Sequence, residues 1–84
     1  MDEPNYNYVY KQLYKVKNDI SLREEIADWA QSYVTNYDLT FKNEKTWDLI
    51  VVLSGIDIKV SPTEYLYGKE DFVKWLEEFN LKQL

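Results

Sequence analysis

The chain contains no cysteine and no histidine. Disulfides and thiolate metal sites are therefore excluded, and so are thiol nucleophiles and the commonest catalytic base. There are only two glycines and two prolines, too few for long loops, which favours regular elements joined tightly. The longest apolar run, Leu49 to Leu53, is far shorter than a bilayer requires. The opening MDEPNYNY has no basic region ahead of an apolar stretch, so no signal peptide is expected. With cysteine absent as well, a cytoplasmic location is expected. No glycine-rich phosphate loop occurs, and Ser21, Ser54 and Ser61 read as cap or turn residues. A carboxylate pair doing acid–base work needs a substrate cleft, which so short a chain can hardly enclose. The expectation is a protein without enzymatic activity, cofactor or metal.

Aromatic surface is abundant instead: eight tyrosines, three tryptophans and three phenylalanines among 84 residues. A chain of this length is one domain, residues 1–84, and buries only roughly 60–65% of its unfolded surface. It has more aromatic surface than a core of that size needs, and tyrosine is enriched where proteins meet other proteins. The formal net charge is -5. Acidity argues against direct nucleic-acid binding, where a basic face must neutralise phosphates, and favours a basic protein partner. It also simply keeps a protein soluble. The acidity belongs mainly to residues 19–28 and 61–80, whereas residues 1–18 carry Lys11, Lys15 and Lys17.

Hydrophobic spacing predicts a first helix over 5–17, with Tyr6, Val9, Tyr10, Leu13 and Val16 on one stripe and Pro4 in the first turn. Alternating Tyr6, Tyr8 and Tyr10 leave an initial strand open. Ser21-Leu22-Arg23-Glu24 reads as a capping box opening a second helix. Its buried face would carry Leu22, Ile26, Trp29, Ala30, Tyr33 and Tyr37. Leu39 and Phe41 are expected to plug the core. Residues 47–60 read either as a buried helix ended by Gly55 in a left-handed cap, or as a hairpin around Ser54-Gly55. Ser61-Pro62-Thr63-Glu64 reads as a second capping box. A last helix over about 69–80 places Phe72, Trp75, Leu76 and Phe79 on one stripe. The three tryptophans read as core. The expected fold is a small all-α bundle of three or four helices, with α+β and a hairpin at 47–60 as the alternative.

The candidate binding residues follow from surplus charge and surplus rings. Glu24 and Asp28 share a helix face with no cation between them, and Gln31 extends that face. As a binding surface they form an acidic strip; otherwise they are a solvated face. Tyr65 and Tyr67 are close together on a short turn, so one is expected to pack and one to show beside Glu64 as an anchor; the alternative is that both close the core between the third and last helices. Tyr8 points away from the first helix's apolar stripe, towards Lys11 and Lys15. No motif ties the chain to a family. In size, acidity and tyrosine content it is similar to bacterial toxin-immunity proteins and phage counter-defence inhibitors. That similarity implies a monomeric inhibitor binding a basic protein, such as a toxin or nucleic-acid enzyme. The alternative is a structural accessory protein with an aromatic homodimer interface. Neither nucleic acid nor membrane is expected as a direct partner.

Overall fold

A computed structural model describes residues 2–83, with side chains described as far as Asn80. Four helices, α1 (Tyr6–Asn18), α2 (Arg23–Val34), α3 (Glu44–Ser54) and α4 (Lys69–Gln83), surround one core. Between α3 and α4 lies a small antiparallel sheet of β1 (Lys59–Ser61) and β2 (Glu64–Tyr65). The protein is mostly helical, but it is not all-α.

α1 opens where Asn5 Oδ1 accepts the Asn7 backbone N–H at 2.8 Å, which satisfies one of the free donors of the first turn. Pro4 therefore precedes the cap rather than occupying the first turn. The apolar spacing Val9, Leu13, Val16 puts three fully buried residues on the inner face. The helix stops at Asp19, whose backbone is extended.

The expected cap of α2 is absent. Ser21 donates both its backbone N–H and its hydroxyl to Asp19 Oδ1, at 3.1 and 2.5 Å. Asp19 thus caps a short 3₁₀ turn at Ile20–Leu22, and α2 follows from Leu22 with no side-chain cap. The pattern S-x-x-E was misleading because an aspartate two residues upstream takes both the Ser21 N–H and the Ser21 hydroxyl. α2 packs closely on α3, because its buried Ala27 and Ala30 carry no bulk. Tyr37 lies beyond the end of α2 and is 92% exposed, not buried. Phe41 packs against the core, whereas Leu39 is half-buried in a shallow surface depression with Trp47.

Residues 44–54 are helical, so the hairpin alternative at 47–60 does not form there. Asn43 is a strong cap, its Oδ1 accepting from the N–H groups of Lys45 (2.9 Å) and Thr46 (3.3 Å). Gly55 ends α3 at φ -104°, so the expected left-handed cap is not used. Glycine fits there for space: a Cβ would lie 3.3 Å from Ile58 Cδ1. Ile56, just beyond Gly55, is fully buried.

Ser61 opens no helix. Pro62 and Thr63 form the turn between β1 and β2, with Lys59 opposite Tyr65 and Ser61 opposite Glu64 across a register shift. The next helix, α4, instead follows Gly68, whose N–H is accepted by Asp71 Oδ2 at 2.8 Å. That is the reaching-back half of a capping box. α4 buries Phe72, Leu76 and Phe79. It runs to Gln83 rather than stopping at Asn80. Trp29, Trp47 and Trp75 are half-buried at the core's edge, not inside it.

Candidate functional site

The inner stripe of α1 leaves an outer face of different chemistry. Asn7, Lys11, Tyr14 and Asn18 recur at i, i+4, i+7 and i+11, and all four are exposed. Tyr8 and Lys15 lie beside that ridge, and Tyr8 and Tyr14 are each 53% exposed. Lys17 Nζ sits 4.7 Å above the Tyr14 ring, within cation–π range. α1 contains no aspartate or glutamate; all 15 lie elsewhere in the chain. The helix is thus basic within an acidic protein.

This face is held rigidly. Two flanking tyrosines donate their hydroxyls across to α4: Tyr6 to the Phe79 carbonyl at 2.7 Å and Tyr10 to the Leu76 carbonyl at 2.8 Å. Burial raises both phenol pKa values, with the neighbouring Tyr10 adding to the effect on Tyr6. On the opposite flank Tyr8 meets Trp29 of α2 edge to face, with ring centroids 5.6 Å apart. Gln12 is buried, and its amide nitrogen donates to the Tyr8 carbonyl at 3.2 Å.

Glu24, Asp28 and Gln31 all lie on α2, but two of the three are engaged within the molecule. Glu24 accepts the Tyr65 hydroxyl at 2.9 Å. That bond, above all, raises the Tyr65 pKa. Asp28 is exposed on α2, and Glu64 is exposed on β2. Gln31 is half-buried and braces α2 against the end of α3, donating to the Ser54 carbonyl at 2.9 Å. Neither Tyr65 nor Tyr67 projects freely as an anchor. Tyr67 is half-buried and packs edge to face on Trp75 at 4.9 Å. Tyr65 lies under the Arg23 guanidinium, whose carbon is 3.8 Å from the ring centroid.

Arg23 is the residue that sequence reasoning missed. It is only 5% exposed. One terminal nitrogen donates to the Ile56 carbonyl at 3.1 Å and to the Tyr67 carbonyl at 2.8 Å. It thereby ties α2 to the turn that follows α3 and to the loop leading into α4. Its isolation as the one cation in an acidic segment was the available signal.

The family model described as "YxzC DNA-binding protein" matches residues 1–79. The chain is also 33% identical over 79 residues to YxzC of Bacillus subtilis (strain 168), an uncharacterized protein. The alignment covers 94% of this chain and 65% of that relative, so the chain spans somewhat under two thirds of its length. No solved structure matches. The match overturns the expected inhibitor of a basic protein, its immunity or counter-defence setting, and the exclusion of nucleic acid. It gives no support to the accessory homodimer. The error was to let net charge stand for local charge: a sum of -5 conceals a helix with three lysines and no carboxylate. No helix among the described residues is long and apolar enough to cross a membrane. By the extent of the family match, the chain belongs to the YxzC DNA-binding protein family.

Proposed function

We propose that this chain binds duplex DNA through the outer face of α1. The observation that carries the reading is the segregation of charge: one helix presents lysine, asparagine and tyrosine without a carboxylate, in a family described as DNA-binding. The 13 residues of α1 span about 20 Å, and a helix about 10–12 Å across fits the major groove. Lys11, Lys15 and Lys17 suit phosphates. Asn7 and Asn18 have amides of the kind that pair with adenine edges. The tyrosine hydroxyls suit backbone oxygens. Carboxylates elsewhere repel phosphate, so they restrict docking to this one face. Their reach is limited, because exposed charges are screened beyond about 8–10 Å at physiological salt. The proposed action is binding without catalysis.

Fluorescence anisotropy of a labelled duplex tests this. Each phosphate neutralised contributes about -0.9 to the slope of log affinity against log salt. Lys11→Ala with Lys15→Ala should weaken binding and flatten that slope by about 1.8. Both positions are exposed, so the circular-dichroism spectrum should not change. A double variant with the affinity and slope of the parent would show that DNA is held elsewhere.

A further inference from the structure

A cleft of about 290 Å³ opens between α1 and α2, at the edge of the proposed DNA-binding face. This is at the small end for ligand pockets, roughly 300–1,000 Å³, and suits a single ring system. Tyr8 and Trp29, in edge-to-face contact, line it together with Ile26. Its polar groups are Gln12, Lys15 and Glu25. The Gln12 amide is oriented by its bond to the Tyr8 carbonyl. Its oxygen therefore remains an acceptor with no protein partner among the described residues. The Glu25 carboxylate adds further acceptors on an exposed residue, and Lys15 supplies the donor.

We infer that this cleft receives an unpaired guanine base of the bound DNA. The inference rests on the proposed DNA-binding role of α1, because Tyr8 and Lys15 belong to both surfaces. Aromatic walls hold bases by stacking, whatever their identity. The polar groups distinguish between them. An acceptor-rich rim needs adjacent donors, and guanine presents N1–H beside its N2 amino group. Thymine offers one N–H between two carbonyls, and faces that rim with acceptors. Lys15 complements guanine O6, as lysine does in direct readout. The position of the cleft also accounts for a carboxylate beside a phosphate-binding helix. Glu25 would oppose DNA binding if it met only backbone, but it fits an amino edge.

The test uses the full chain and labelled duplexes that are either fully paired or carry one unpaired G, A, C or T. The unpaired G duplex should bind about tenfold tighter than the paired one, the scale of one base–aromatic stack, with T ranked last. Glu25→Ala should lose most of the preference for G over T while binding the paired duplex as well as the parent or better. Tyr8→Phe should keep the preference, and Tyr8→Ala should reduce the gain for every unpaired base. A carboxylate that merely repels phosphate predicts a different result: Glu25→Ala would tighten all five duplexes by one factor. That outcome overturns the inference, as does equal binding of all five by the parent. If the paired duplex still binds with its lysine-dependent salt slope, the groove reading survives that failure. Absence of binding to every duplex overturns both.

Discussion

Replacing Arg23 by methionine removes the guanidinium and keeps most of the side chain's bulk. Two carbonyls, of Ile56 and Tyr67, lose a charged donor at 3.1 and 2.8 Å. Such bonds are worth about 1.5–3 kcal/mol each. Cation–π contact with Tyr65, at 3.8 Å, adds about 0.5–2 kcal/mol. The opposing term is the burial of the charge. Arg23 Nε is buried without a hydrogen-bond partner among the described residues, and its removal recovers about 1–3 kcal/mol of desolvation. The balance is a loss of about 3 kcal/mol. In a domain of this size that lowers Tm by roughly 12–24 °C. Thermal denaturation by circular dichroism at neutral pH measures it directly. Arg23→Lys should fall in between, because an ammonium keeps the charge but cannot match the planar fork. If Arg23→Met shifts Tm by less than about 4 °C, the bonds do no more than offset the burial of the charge, and the residue is not the tie inferred here.

Two other outcomes follow from the same contacts. Tyr6 and Tyr10 titrate above their ordinary value of 10.0 because burial disfavours the phenolate. The folded state thus holds these protons more tightly than the unfolded state. Their contribution is complete below pH 10 and is lost as pH rises through the raised values. Tyr6→Phe with Tyr10→Phe should cost about 1 kcal/mol per lost hydrogen bond at neutral pH and should flatten the decline of Tm above pH 10. Parallel declines in parent and variant would refute this. Asn43→Ala should destabilise by about 1 kcal/mol, because α3 loses its cap, whereas Ser21→Ala should change the denaturation midpoint little. Equal effects would restore Ser21 as a cap.

Helix periodicity was legible in the sequence wherever one stripe faces the core and the other faces water. Val9, Leu13 and Val16, and then Phe72, Leu76 and Phe79, could be read from spacing alone. Local signals failed where two partners compete for one group. Ser21 lost its capping role to Asp19, and Ser61 became a hairpin residue because Glu64 pairs across the turn. The α1 face was visible in outline, as three lysines beside an outward Tyr8, but net charge outweighed it. The cleft beside it was not visible, because Glu25 and Trp29 reach Tyr8 and Gln12 only when α2 packs on α1.

By itself the sequence determined the apolar stripes of α1 and α4 and the absence of chemistry dependent on thiols or imidazoles. These depend on residue type and on spacing within one element. Only the tertiary structure decided that Arg23 is an internal tie, that Tyr65 and Tyr67 are committed to packing, and that Glu24 receives the Tyr65 hydroxyl. Each of these depends on groups outside one another's local segment being brought within a few ångströms. Burial changes what a charge or a ring does, and burial is a property of the packed molecule.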